Sequence, residues 1–181
     1  IRICLVGSEM CIRDSYGDKR RLIEALLDYR ITPVNSDRLR RLKLLKRSGE
    51  ALSVNALVQV FVEPFALELL KPPEEIGYIS ILSQLYASQW GRELYLENRK
   101  RARELHEITS LLIRNLKPMP VSDVHLKLQF LGRLTIVSVA EWHESAISCG
   151  EPLDRAALNW RISVLVEFLV GGLYAGLKAH Q

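Results

Sequence analysis

Val121-Ser122-Asp123-Val124-His125-Leu126-Lys127-Leu128-Gln129-Phe130-Leu131-Gly132-Arg133-Leu134-Thr135-Ile136-Val137-Ser138-Val139-Ala140-Glu141-Trp142-His143-Glu144-Ser145-Ala146-Ile147-Ser148 is a run without proline and with one glycine. Period-two alternation bounded by tight turns, the mark of strands, is scarce along the chain. Leu126, Leu128, Phe130, Leu131, Leu134, Ile136, Val137, Val139 and Trp142 instead wrap around most of a helical circumference. The stretch predicts one long helix, with Ser122 or Asp123 as its cap. A helix that is apolar nearly all round is buried on more than one side. Gly150-Glu151-Pro152 then turn the chain, and a second broadly apolar helix is predicted from Leu153 to about Lys178. Two such helices in succession suggest that one face meets a second subunit. The expected interface is Leu134, Val137, Trp142, Val164, Phe168, Gly172 and Gly176, where glycines four apart let backbones approach closely. Plain packing within the monomer is the rival role for these residues. The most apolar segment, Ile162 to Leu177, is short for a bilayer span and carries Glu167, so buried protein is expected, with no membrane.

The rest of the chain reads the same way. A helix starts near Asp18 with Leu22, Ile23, Leu26 and Leu27 at helical spacing, and Pro33 is expected to kink or interrupt it. The pattern resumes after Asn35 or Ser36, with Leu39, Leu42 and Leu45 on one face and Arg38, Arg40, Arg41, Lys43, Lys46 and Arg47 on a solvated basic face. Gly49 ends it. Ser53 caps a helix that runs to about Leu70 with Pro64 inside. Its stripe is Val54, Leu57, Val58, Phe61, Phe65 and Leu69. Pro72-Pro73 stop it, and a short helix spans Glu74 to about Ser88. Trp90-Gly91 mark a corner before a long amphipathic helix from Arg92 to Leu116, which Pro118 and Pro120 end. The fold class is all-α, a bundle of about six to seven helices.

With 48% hydrophobic and 25% charged residues, the composition is that of an ordinary globular domain. The net charge of +4 permits a nucleic-acid partner without requiring one. The spread of His106, His125, His143 and His180 contains no His-Glu-x-x-His, no Glu-x-x-His pair, no phosphate loop and no nucleophile elbow. A binding or interaction protein is therefore expected rather than an enzyme, with no metal and no cofactor.

Residues 1–15 stand apart. Leu5-Val6-Gly7-Ser8-Glu9-Met10-Cys11-Ile12-Arg13-Asp14-Ser15 resembles the translation of a transposase sequencing-library adapter, and Ile1 to Cys4 fit the index region before it. This segment is expected to be non-native, with Leu5, Val6 and Ile12 unpacked, and to be set aside before the fold is argued. The domain proper is then 16–181. Cys4 and Cys11 fall in the segment, which leaves Cys149 alone, with no disulfide framework. That usage suits a cytoplasmic protein.

Tyr16-Gly17-Asp18-Lys19-Arg20-Arg21-Leu22-Ile23-Glu24-Ala25-Leu26-Leu27 resembles a junction in TetR-family (tetracycline-repressor-like) transcriptional regulators. There, a recognition helix ends in Tyr-x-His-Phe/Tyr-Gly-Ser/Asp-Lys and a Leu-rich linking helix follows. Arg30-Ile31-Thr32-Pro33-Val34-Asn35-Ser36-Asp37-Arg38-Leu39 is similar to a pattern of one branch, Arg-x-x-Pro-Leu-Asn-x-x-Arg-Leu. The match stops where Arg13-Asp14-Ser15 stand in place of Tyr-x-His, which is the boundary set independently by the adapter reading. The resemblance implies a homodimeric bacterial regulator whose helix-turn-helix, missing here, reads a DNA operator. Lys19 is then a DNA-phosphate contact. It also implies a small-molecule effector in a cavity among the helices. Phe61, Phe65, Tyr86, Trp90 and Phe130 are the large inward groups for that cavity, and Gln84, His106 and Gln129 the polar ones. The alternative is a helical-bundle interaction or ligand-carrier protein with no DNA role.

Overall fold

The computed structural model describes residues 19–49, 51–89, 93, 103–150 and 153–176. The adapter-like segment and its expected lack of packing lie outside these residues. Helices follow in the order α1 (Lys19–Arg47), α2 (Val54–Ala66), a 3₁₀ turn (Leu67–Leu70), α3 (Pro73–Ile76), α4 (Tyr78–Ala87), α5 (Arg103–Asn115), α6 (Val121–Cys149) and α7 (Arg155–Tyr174). No strand occurs among the described residues, and the all-α reading holds.

The core is organised around α2. Val54, Leu57, Val58, Val60, Phe61, Val62, Phe65 and Ala66 are all buried, leaving little of its circumference free. It touches α1, α5, α6 and α7, while α4 lies on α6. Ser53 caps it as expected, its hydroxyl accepting from the Ala56 N–H at 3.2 Å.

Pro33 does not interrupt α1, which is continuous on both sides of it. A proline removes the donor to the carbonyl four residues back, here Tyr29, and both residues are exposed so water can serve that carbonyl. Burial of Leu27, Val34 and Leu42 on the opposite side holds the axis together. Asn35 is consequently no cap.

Two other ends differ in detail from the expectation. On α6 the cap is Pro120, with no side-chain hydrogen bond, and Ser122 instead lies 3.0 Å from the Asp123 carboxylate. Asp123 still complements the helix dipole from the first turn. Gly150 ends α6 at φ 66°, a left-handed position that glycine adopts without strain. Asp154 caps α7, its carboxylate accepting from the Ala157 N–H at 2.6 Å. The helix stops at Tyr174, short of Lys178, because Gly176 turns left-handed at φ 85°. Lys127 of α6 donates to the carbonyls of Leu173 (3.1 Å) and Ala175, supplying partners to that frayed end.

Candidate functional site

Three features of the surface and near-surface bear on function: a cleft between α5 and α6, a part-buried ionic seam along α1, and uncovered apolar stripes on α6 and α7.

The cleft has a volume of about 240 Å³. Leu105 and Leu128 form its apolar floor, and His106, Thr109, His125 and Gln129 its polar rim. Spacing explains the convergence: His106 and Thr109 are one turn apart on α5, and His125 and Gln129 one turn apart on α6. Of the residues expected to bind a ligand, only His106 and Gln129 are brought together here. Phe61, Phe65 and Tyr86 are buried in the hydrophobic core and do not line the cleft. Gln84 is exposed on α4. Phe130 points out to solvent on the opposite flank of α6 from the core, so its place in a cavity is corrected. Trp90 lies outside the described residues. His125 and Thr109 went unrecognised because a lone polar residue carries no signal until the partner helix is known.

The second feature corrects one residue of the expected solvated basic face: Arg40, Lys43, Lys46 and Arg47 are exposed and Arg41 is intermediate, but Arg38 is not. Arg38 is only 6% exposed. Its Nε donates to the Phe61 carbonyl at 2.9 Å, its Nη1 to Asn35 Oδ1 at 2.8 Å, and its guanidinium stands 4.5 Å from the Phe61 ring centroid. The Phe61 carbonyl adjoins the Val60 carbonyl, whose usual donor Pro64 deletes, so Arg38 reaches α2 at its weakest turn. The Asn-x-x-Arg spacing is thereby accounted for: it sets Asn35 to hold the guanidinium that ties α1 to α2. One turn on, Arg41 bridges Asp37 (2.7 Å) and Glu63 (2.9 Å), and Lys46 pairs with Glu107 of α5. Burial alone would raise the Asp37 carboxyl, but the hydrogen bonds from Arg41 and Arg40 and their charges win and hold it below the ordinary value of 3.8. Burial likewise opposes the charge on Arg41, yet Asp37 and Glu63 push it above its usual range. Nearby, the buried Glu68 accepts from Lys71 at 2.9 Å and from the Tyr78 hydroxyl at 3.3 Å. Burial, followed by the Glu68 charge, drives the Tyr78 phenol far up, so it stays a donor.

The third feature is apolar. Leu126, Phe130, Leu134 and Val137 form a stripe along α6, and Trp160, Val164 and Phe168 one along α7. Trp160 and Phe168 are each 66% exposed. Gly171 and Gly172 continue the second stripe, and a Cβ built on either would meet nothing within 4 Å. Leu134, Val137, Val164, Phe168 and Gly172 are thus all uncovered, as are Leu126, Phe130 and Trp160, which the sequence reading did not assign to the interface. Trp142 is half-buried against the core rather than part of it. Gly176 belongs to the helix end described above, not to a helix face.

The backbone of Lys19 starts α1, and its side chain lies outside the described residues. Among those residues no group of three or more His, Cys, Asp or Glu could hold a metal ion. By length and composition α7 alone among the described helices is apolar enough to cross a membrane, and a third of its apolar window is buried. No family model, curated protein or solved structure matches the chain.

Proposed function

We propose that residues 16–181 are the regulatory and dimerising domain of a ligand-responsive, TetR-like DNA-binding regulator acting as a homodimer. The supporting observation is the uncovered apolar face of α6 and α7. Exposed apolar surface of this kind marks an interaction site, and it carries the exposed aromatics Phe130, Trp160 and Phe168, a residue type enriched at interfaces. Self-association is favoured over a bilayer because the face is one side of two helices whose other sides build a protein core.

In this reading a small molecule in the α5–α6 cleft alters the spacing of two DNA-reading heads, with a coupling of about 1–3 kcal/mol. The cleft and the face share α6 at neighbouring positions, His125 beside Leu126 and Gln129 beside Phe130. Ligand occupancy and subunit geometry are therefore in contact through one helix.

Sedimentation of residues 16–181 is expected to give twice the monomer mass. A monomer at high concentration, or flotation of the chain with liposomes, sinks the dimer. Reading the genomic DNA upstream of the Tyr16 codon tests the DNA role separately. A helix-turn-helix of roughly 45 residues ending in Tyr-x-His is expected. An in-frame stop there, with the dimer intact, favours an interaction or carrier protein instead.

A further inference from the structure

We propose that a second copy of the chain is held in one register by a charge pair, Arg133 of α6 against Glu167 of the partner subunit, made twice across the two-fold axis; the pair rests on the homodimer reading above. The two side chains are placed alike. Helical spacing puts Arg133 on the uncovered side of α6 with Phe130, Leu134 and Val137, and Glu167 on the uncovered side of α7 with Val164, Phe168 and Gly171. Each charge follows one member of its stripe by three residues and directly precedes the next. Arg133 is the only exposed charge between Leu126 and Val137, and Glu167 the only one between Trp160 and Gly172. Neither makes a hydrogen bond or ion pair among the described residues.

The helix pair brings the two charges to one height. α6 and α7 run antiparallel, and Lys127 of α6 donates to the Leu173 carbonyl of α7 at 3.1 Å. Arg133 lies six residues after Lys127, and Glu167 six residues before Leu173. At a rise of ~1.5 Å per residue, both stand about 9 Å along from that contact, near the middle of their stripes. A surface covered by its own copy is isologous, so α6 on the partner's α7 implies α7 on the partner's α6. Covering the stripes takes both charges out of water, and a charge buried without a counter-charge is costly. Packing α6 on the partner's α7 gives each charge its opposite. Packing like helix on like helix sets arginine on arginine and glutamate on glutamate, which a desolvated interface penalises. A wholly apolar partner offers neither group a counter-charge, whereas a second copy offers both.

Sedimentation of the full chain, read through a fluorescent label on one component, tests the pair with two charge reversals, Arg133→Glu and Glu167→Arg. Both side chains are exposed in the single chain, so helicity is expected to be retained. Each variant alone sets like charges together at both contacts, and its dimer is expected to be about 10-fold weaker or more. In a dimer of the two variants, one contact is native and the other is the same pair with its charges exchanged. Labelled Arg133→Glu is therefore expected to bind Glu167→Arg to within about 3-fold of the unsubstituted dimer. A pair made within one chain is not rescued by mixing, since each variant keeps two like charges of its own; absence of rescue overturns the proposal. Glu144→Arg, at an exposed carboxylate of α6 beyond the stripe, is the control for overall charge. It is expected to bind labelled Arg133→Glu no better than the unsubstituted chain does, and a rescue equal to that by Glu167→Arg overturns the pair. An unsubstituted dimer whose strength neither reversal changes refutes the pair and leaves the homodimer standing. An unsubstituted chain that stays monomeric refutes both.

Discussion

Gly172 is where a single residue separates the monomer's interest from the dimer's. Glycine inside a helix costs about 1 kcal/mol relative to alanine. Its environment in the isolated chain gives no steric reason to accept that cost, because a Cβ meets open space. Gly172→Ala is therefore expected to raise the thermal stability of dilute, monomeric protein and to weaken self-association. Calorimetry against concentration reads both signs, and a variant that gains stability at every concentration removes glycine from the interface. Arg38 is the opposite case, a residue whose whole role is internal. Arg38→Ala leaves the Phe61 carbonyl and Asn35 without their buried donor, and a loss of about 3 kcal/mol in denaturant unfolding is expected. Lysine is a poor replacement, since it lacks the planar fork that bonds two acceptors and stacks on a ring. Asp37 carries a pH signature. Its carboxyl binds protons less readily folded than unfolded, so its stabilising contribution is complete above about pH 4 and fades as pH falls through the lowered folded value. Asp37→Asn is expected to flatten that acid limb of the stability–pH curve. An unchanged limb would show that Arg40 and Arg41 do not hold the carboxylate in solution.

Among the elements, periodicity disclosed what local chemistry decides and missed what a partner decides. Ser53 and the glycines at 49 and 150 act as local signals, and the helix ends they mark were legible from them, whereas the Asp154 cap was not read from the sequence. Of the two outcomes expected at Pro33, interruption does not occur, because the packing of Leu27, Val34 and Leu42 along the same helix outweighs one lost hydrogen bond. Arg38 was misjudged because charge predicts exposure until a carbonyl and an amide are found in reach. The two sides of α6 could not be told apart from the sequence, since both are apolar. Only the placement of α2 and α4 distinguishes Leu128, Leu131, Ile136 and Val139, which are buried, from Leu126, Phe130, Leu134 and Val137, which are not. The cleft was half legible: His106 and Gln129 were named, but their company was wrong. His143 is a comparable surprise within α6, 6% exposed and with no hydrogen-bond partner among the described residues. An unpaired buried imidazole contributes little that a similar apolar group cannot, so His143→Leu is expected to leave unfolding stability unchanged or raised. A loss of 2 kcal/mol or more, on the order of a broken buried network, would mean that the ring has a partner in solution.

At the scale of the whole molecule, the distribution of apolar surface matters more than any one contact. The stripe from Leu126 to Val137 and the stripe from Trp160 to Phe168 are apolar surface that a lone chain exposes to water. Phe168→Glu replaces a ring that is mostly exposed in the single chain, so helicity is expected to be retained. Aromatic anchors of interfaces are worth about 2 kcal/mol or more, which predicts at least a 30-fold weaker dimer by sedimentation. Retained dimerisation in Phe168→Glu would move the interface elsewhere on the surface.

The central position of α2 has a consequence for how the chain breathes. With four other helices against it and nearly every side chain covered, its backbone amides have no local route to solvent. They exchange with deuterium only when the whole domain opens, whereas the ends of α1 and α7 exchange through fraying. The slowest amides of the protein therefore belong to Val54–Ala66, and their rate is a direct gauge of global free energy. A molecule that occupies the cleft, or a second subunit on the apolar face, need not touch α2 to be registered there. Either one slows those amides by the factor 1 + [L]/Kd, so a single helix at the centre keeps the record of everything bound at the periphery.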